Sequence, residues 1–366
     1  MGDLVAVSFG GAIRPRRGRR RRDGWWEARP GSWVIARDGK PVSHIRVVYN
    51  VLSVYGCQLK IASIGGVCTH PDYRRRGIAG ALLDHCIEVA ADAGASLLLI
   101  SGERGLYRRA MAVDAGPTYE VEVRPGSVKA STRTPQARAP QARAPRARRA
   151  APGDWVSCAR LHQREPVRFV RSAGFFARAF SGHGGRGAWV IECGGEVAAY
   201  VLLSRPWGTP RDHPRRLATE YAGSRAALVE GLPSLFESSG FERITFRAPQ
   251  WDREMAYLFR RAGLDGKPAT LLDHTIRLLD LPRLMRRLRP YVAARLLRAE
   301  SRRLTFEQEG HRCVFALGDE MVELGLKEAC ALVLGGPEAP QVEGELGRVL
   351  AALFPLPCPL PGMNYV

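Results

Sequence analysis

The residues with the most to offer chemically are Arg74-Arg75-Arg76-Gly77-Ile78-Ala79-Gly80, three guanidinium groups followed by small residues at a change of hydrophobic period. Before them, Ile61 to Thr69 is apolar or small, with Ile64, Val67 and Thr69 as strand formers, and Pro71-Asp72 breaks the strand. After them, Ile78, Leu82, Cys86, Val89 and Ala90 fall on one helical face and Asp84, Glu88 and Asp92 on another, with Gly94 as a stop. Gly77, Ala79 and Gly80 keep side chains short where the helix opens. The free N–H groups and positive dipole end of a first helical turn, beside three arginines, make an anion cradle suited to phosphate or pyrophosphate. The pattern is not Gly-x-x-x-x-Gly-Lys-Ser/Thr, because no Lys-Ser or Lys-Thr follows. Nor is it Gly-x-Gly-x-x-Gly with a ribose-binding acid on the next strand. The plain alternative is a glycine-rich turn beside a solvated charge run.

The elements that must position this joint can be read around it. Ser32 to Arg37 and Val42 to Val48 alternate as two strands joined through Asp38-Gly39-Lys40. Ala95 to Ser101 (ASLLLIS) reads as a fully buried strand. It is expected to run parallel to Ile61–Thr69 and to splay from it, leaving a slot. A loop and short helix, Gly102 to Arg109, follow, and Tyr119 to Val123 is expected to close the sheet. Beside the GNAT fold that the Arg74–Gly80 joint and its flanking elements resemble, residues 1 to 31 are too short and irregular to supply the first strand and helices, so a late start or a reduced acceptor side is expected there.

The chain has 366 residues, 45% apolar and 25% charged, which is globular and long enough for two or three domains. Its formal charge of +19 points by itself to nucleic acid. The distribution weakens that reading. Arg14 to Arg22 holds seven arginines, and Arg124 to Arg149 holds seven arginines and Lys129, with no acid in either, so everything else carries only +4. Residues 124–152 are rich in Pro, Ala, Arg and Gln, with the near-repeat PQARAPQARAP, and read as an extended linker whose basicity is the one route to a nucleic-acid or acidic partner. The eight cysteines form no Cys-x-x-Cys pair, so no metal site is expected, and their apolar neighbours suit buried thiols in a reducing cytoplasm. No apolar run approaches the ~20 residues of a membrane span, and no apolar core follows the N-terminal arginines as in a secretory signal.

Residues 153–278 repeat the order of the first region: a helix at Asp154–Gln163, a hairpin of 189–192 and 197–203, a helix at 225–238, a strand at 243–247 and a helix at 255–262. Gly223-Ser224-Arg225 is a poor remnant of the cradle, so this unit reads as a degenerate, non-catalytic copy. Residues 279–366 differ. They open on a basic amphipathic helix from Leu281, expected to face a core, and continue with a hairpin of 304–308 and 313–317, a helix at 327–334 and a Pro-rich tail ending in Val366.

Arg74, Gly77 and Ala79 meet the pattern Arg/Gln-x-x-Gly-x-Gly/Ala, and with the flanking strand, helix and second strand they resemble the coenzyme A site of the GNAT acetyltransferase superfamily. The order of a GNAT domain (1–123), linker (124–152), degenerate GNAT copy (153–278) and sterol-carrier-like unit (279–366) resembles the enhanced-intracellular-survival (Eis) type. The resemblance implies a mixed α/β fold, mostly antiparallel GNAT sheets flanked by helices with a small α+β C-terminal domain. It implies acetyl-CoA as co-substrate, a small or peptidic primary amine as acceptor, a homo-oligomer and a cytoplasmic enzyme.

It also implies roles for residues. Val67, with Cys68 and Thr69, would pair with pantetheine and polarise the thioester carbonyl. Arg74, Arg75, Arg76, Gly77, Ile78, Ala79 and Gly80 would hold the pyrophosphate, and Gly102 and Glu103 would line the far side of the coenzyme. Tyr107 would be the general acid. A thiol ionises at ~8.5 and a tyrosine at ~10, so Tyr107 can stay protonated and donate. The terminal carboxylate, here of Val366, would be the base, with His70 and His85 as alternatives. The competing readings are a non-enzymatic coenzyme A sensor with nucleic-acid-binding arginine segments, and a lipid carrier built on the C-terminal unit.

Overall fold

The structure is a computed structural model that describes residues 19–20, 25–29, 32–37, 40–102, 105–128, 144–181, 187–206, 209–210, 212–270 and 274–364. The chain divides into two compact units, one from Met1–Ala115 and Asp273–Leu356, the other from Gly116–Leu272 and Pro357–Tyr365.

The first unit begins with strands β1 (Arg19–Arg20), β2 (Trp25–Arg29), β3 (Ser32–Arg37), β4 (Lys40–Val54) and β5 (Cys57–Thr69), each antiparallel to the next. β4 and β5 are longer than their hydrophobic patterns suggest because Tyr55-Gly56, both at positive φ, form a two-residue hairpin turn. β2 supplies a strand ahead of the expected pair. Helix α1 (Ile78–Asp92) then crosses to β6 (Leu97–Ser101), and the short helix α2 (Gly105–Arg109) leads to β7 (Val113–Asp114). α1 buries Leu82, Leu83, Cys86 and Ala90 against a core that includes Ile45, Ile64 and Leu98, as its periodicity predicts. Burial pushes the Cys86 thiol up to about 12, so it stays protonated packing material.

The second unit starts with β8 (Thr118–Val123) and continues through β9 (Arg146–Arg149), α3 (Trp155–Arg164), β10 (Val167–Phe169) and α4 (Ala173–Ser181). Strands β11 (Ala188–Cys193), β12 (Glu196–Ser204) and β13 (Arg215–Gly223) follow, then α5 (Arg225–Glu230), α6 (Leu232–Ser239), β14 (Arg243–Pro249), α7 (Arg253–Arg261) and β15 (Gly266–Ala269). The single helix expected over 225–238 is divided at Gly231, where a Cβ would lie 2.8 Å from Ile191 Cγ2 and 2.9 Å from the Ala227 carbonyl oxygen. The sheet order is β15-β8-β14-β13-β12-β11-β9.

The chain then returns to the first unit with β16 (His274–Leu278), helices α8 (Leu281–Arg287), α9 (Arg289–Ala293) and α10 (Arg298–Arg303), an antiparallel sheet of β17 (Leu304–Glu309), β18 (Arg312–Leu317) and β19 (Glu320–Gly325), and helices α11 (Leu326–Leu334) and α12 (Gly344–Leu353). α8 turns Leu281, Leu284 and Met285 inward, the core-facing helix its pattern predicts. Among the described residues no helix is long and apolar enough to cross a membrane. The fold class read from the sequence holds: mixed α/β, with mostly antiparallel sheets flanked by helices.

Two placements differ from the sequence reading. Thr118–Val123 does not close the first sheet; it lies between β14 and β15 in the second, with Val123 opposite Ile244 and Val121 opposite Phe246. The place beside β6 is taken by β16, running antiparallel with Ile276 opposite Leu99. Alternation tells which side chains of a strand are buried, not which sheet buries them. The units accordingly divide after Ala115, Leu272 and Leu356. The second correction is to the linker. Its last residues, Arg146–Arg149, are a strand paired with β11, and Arg148 sits 2.7 Å from both Asp154 and Glu192. Acids outside the run anchor this arginine. Arg14–Arg17, Arg21, Arg22 and residues 129–143 lie outside the described residues.

Residues 1–123 expressed alone are expected not to fold, because the buried strand β6 would keep one edge without its β16 partner. Amide dispersion in an NMR spectrum checks this, and a dispersed spectrum would contradict the placement of β16.

Candidate acyl-coenzyme site

β5 has β4 on one side and β6 on the other. Its parallel ladder with β6 runs from Ile61↔Leu97 to Ile64↔Ile100 and ends there, although β5 continues to Thr69. Ser101 Oγ donates to the Ile64 carbonyl at 3.1 Å where the strands part. On the other side the register with β4 shifts between His44 and Arg46, which face Cys68 and Gly65. The extra residues form a bulge at Gly66, whose φ is +61°. The buried His44 ring holds that bulge, with Nδ1 2.9 Å from the Gly66 carbonyl oxygen and the ring 3.5 Å from where a Cβ on Gly66 would stand. Ser43 Oγ donates to the Cys68 carbonyl at 3.2 Å. The end of β5 is therefore fixed along β4, and past Ile64 it has no ladder with β6.

The chain turns from β5 through a 3-10 turn at Pro71–Tyr73, where His70 Nδ1 accepts from the Asp72 amide. Arg74 Nε donates to the Thr69 carbonyl at 3.1 Å, tying the arginine run back to the strand end. Arg75 and Gly77 both take positive φ, +60° and +74°. Gly77 caps α1 from the left-handed region with no side-chain hydrogen bond, and the first turn contains no acidic residue. The first helical bond is from Ala81 N to Gly77 O, so the amides of Ile78, Ala79 and Gly80 have no acceptor within the helix. A Cβ placed on Gly77 or Gly80 would meet nothing within 4 Å.

In front of them is a cavity of about 740 Å³. Of the coenzyme contacts expected from sequence, Val67, Cys68 and Thr69 line it from the strand, Arg74 and Arg75 from the turn, and Gly77, Ile78, Ala79 and Gly80 from the helix start. Arg76 is outside the lining and stacks its guanidinium 5.3 Å from the Tyr73 ring centre. Gly102, at φ +111°, accepts from Thr275 Oγ1 through its carbonyl. Tyr107 is 2% exposed in the core of the unit, and its ring would lie 3.4 Å from a Cβ on Gly102. His85 packs edge-on against Trp33, and His70 keeps its Nδ1 on the Asp72 amide. Glu103 and Val366 lie outside the described residues. The cavity has three further lining residues that the sequence reading did not single out, Tyr73, Leu106 and Arg109. Leu106 and Arg109 stand three apart on α2, the spacing of one helical face, and that was the available signal.

The residues present fit a pyrophosphate: unanswered helix amides, glycines with open space before them, and Arg74 and Arg75 on the same wall. The second unit supplies the contrast. There β13 and β14 are also a parallel pair, from Arg215↔Arg243 to Ala218↔Phe246. The helix that follows β13 is capped by Ser224, whose Oγ accepts from the Ala227 amide. Arg225 is turned inward, with both guanidinium ends on Glu165 at 2.6 Å and Nε on Asp252 at 3.0 Å. The space remaining is about 30 Å³, roughly one water, lined in part by Trp251, Pro359 and Leu360. Trp251 Nε1 donates to the Cys358 carbonyl, holding the Pro-rich tail there.

The same unit buries a second ion pair, Arg171 with both ends on Glu220 at 2.7 and 2.6 Å. Burial alone would raise the Glu220 carboxyl, but Arg171, His162 and the Tyr200 hydroxyl outweigh it and hold it at about 2. The Met363 amide also donates to Glu220, and Arg171 Nε donates to Asn364 Oδ1.

A mixed sheet with one splayed parallel pair and an uncapped, arginine-flanked helix start leaves an anion-binding slot where the sheet parts. Residues 2–110 match the family model described as "Acetyltransferase (GNAT) domain". The chain thus carries a GNAT acetyltransferase domain and is an enzyme of the acyltransferase class. Solved structures share the fold across both units. A GCN5-related N-acetyltransferase from Kribbella flavida is 16% identical over 90% of this chain and 86% of that one, with a TM-score of 0.59. Eis1 from Mycobacterium abscessus is 14% identical over 96% and 93%, with a TM-score of 0.60. A conserved Enterococcus faecalis V583 protein, described as a probable N-acyltransferase, is 13% identical over 98% and 93%, at 0.56. A search of curated proteins finds no match.

Glu220→Gln is expected to destabilise the second unit by about 3–5 kcal/mol at pH 7, since it leaves Arg171 buried without its counter-charge. A carboxyl held low in the fold contributes stability above its unfolded value near 4.5 and loses it as pH falls toward 2. The gap between wild type and variant in denaturant unfolding should therefore narrow between those pH values.

Proposed function

We propose that this protein transfers an acetyl group from acetyl-CoA to a primary amine of a small molecule or peptide, directly within a ternary complex. The observation that carries the reading is the uncapped start of α1, open to a cavity of about 740 Å³ beside the unladdered end of β5. Bound acetyl-CoA supplies an activated thioester. The helix amides with Arg74 and Arg75 hold its pyrophosphate. Val67 to Thr69, free of a ladder on that side, take the pantetheine, with the Val67 backbone turned to polarise the carbonyl. Gly102 and Glu103 belong to the far side of the coenzyme.

A primary amine is mostly protonated at neutral pH, so it must lose a proton before it attacks. We assign that proton to the terminal carboxylate, on Val366, following the Eis resemblance. The departing thiolate takes a proton from Tyr107, whose place beside Gly102 and next to the cavity-lining Leu106 supports the role. The second GNAT-like unit is read as non-catalytic because its own side chains and tail fill the corresponding slot. Residues 279–366 are read as the sterol-carrier-like part, the protein as a homo-oligomer and the cytoplasm as its site of action, all on the same resemblance.

Two variants test the reading by calorimetric titration with acetyl-CoA and a coupled thiol assay over a panel of amines. Gly77→Glu forces a side chain into the left-handed region and aims a negative charge at the cradle. It is expected to weaken acetyl-CoA binding by about a hundredfold or more. Tyr107→Phe is expected to lower kcat by about 10²-fold with acetyl-CoA binding nearly unchanged. Full turnover by both variants would reject the proposal.

A further inference from the structure

The cations around the cavity do not all belong to the arginine run. Arg109 lines it from α2, together with Leu106, whereas Arg74 and Arg75 line it from the turn before α1. Arg109 and its neighbour on α2 are in different electrostatic states. Arg108 is spent on Asp114, 2.8 Å away. Arg109 has no hydrogen bond or ion pair to any described residue, and its guanidinium lies near Gly105, where a Cβ would come within 3.5 Å of Nη1. Among the described residues no acidic side chain lines the cavity. Leu106, one helical turn back on the same face, offers apolar surface beside it. The cavity therefore has one cationic wall made of helix amides with Arg74 and Arg75, and a separate cation on the α2 wall that no described acid pairs with.

Coenzyme A carries anionic charge at two places, the pyrophosphate and the 3′-phosphate of the ribose. The helix amides answer a pyrophosphate, and a phosphomonoester is a doubly charged, three-oxygen acceptor that a planar guanidinium meets with paired hydrogen bonds. We propose that Arg109 is the residue that recognises the 3′-phosphate, so that the site tells coenzyme A from its 3′-dephospho form. This deepens the acetyl-CoA reading above and rests on it.

The test is calorimetric titration of the full chain with coenzyme A and with 3′-dephospho-coenzyme A. Wild type should bind coenzyme A about tenfold or more tighter, the scale of one charge-assisted contact. Arg109→Ala should bring that ratio close to one and leave the affinity for the dephospho form unchanged. Arg109→Lys, which keeps the charge without the fork, should restore part of the ratio. Arg75→Ala, on the pyrophosphate wall, should weaken both ligands alike. Arg109→Ala weakening both ligands equally would place Arg109 on the pyrophosphate and overturn the proposal, as would an unchanged ratio. A folded wild type that binds neither ligand would overturn the acetyl-CoA reading itself and this proposal with it, whereas binding of both without discrimination would sink this proposal alone.

Discussion

A helix that begins without a cap leaves amide protons that something must answer. A side-chain cap contributes about 1 kcal/mol, and an anion at the same place contributes a similar amount, more when partly enclosed. α1 begins at Gly77 with neither cap nor acid in its first turn. The site depends on that omission. A serine or aspartate at position 77 would satisfy the amides from within the protein and close the cradle. Three features keep the omission in place: the left-handed φ of Gly77, Arg74 tied back to the Thr69 carbonyl, and a strand end held by Ser43 and His44.

The second unit shows what happens when the same position is answered internally. Ser224 caps, Arg225 is drawn inward by Glu165 and Asp252, and the tail residues Pro359 and Leu360 help fill what is left. Tyr221 donates its hydroxyl to Asp252, so each carboxylate in the cluster has partners beyond its arginine. Such networks are costly to desolvate and costly to break, so the arginine is held to its internal acids rather than left for a ligand. Arg109 and Arg225 illustrate the two fates of an arginine near such a slot. One has no partner among the described residues and lines open space, and the other is paired with two buried acids in the core.

The cradle was legible in the sequence because its chemistry is local. Spacing alone placed Arg74, Gly77 and Ala79 on a strand-to-helix joint, and α1, β6, the β17–β18 hairpin and α11 follow their hydrophobic periods closely. What was not legible is long-range. Thr118–Val123 and His274–Leu278 are equally good strands, and only pairing decides that the second, which starts 173 residues beyond Ser101, takes the place beside β6. Arg146–Arg149 looked like more of the linker because its anchoring acids, Asp154 and Glu192, lie outside the run. His44 was read only as one residue of a strand. Its role at the bulge appears once Gly66 is seen opposite it, across 22 residues. Arg109 shares its short stretch with Tyr107, and the sequence carries no sign of which of the two side chains reaches the cavity.

Each unit has one parallel pair set between antiparallel neighbours, β5–β6 in the first and β13–β14 in the second. A parallel pair cannot be joined by a hairpin; it needs a crossover, and here each crossover contains helix. That helix must start near the carboxyl end of the first strand, which is also where the pair can part without disturbing the rest of the sheet. Topology therefore brings a helix N-terminus to a gap in each unit before any functional side chain is chosen. The choice is then made by a few residues. Gly77 and Gly80 leave the amides and the space open in the first unit, while Ser224 and Arg225 close both in the second. Each unit thus has a parallel pair followed by a helix, and among the described residues the open anion site lies in the first unit.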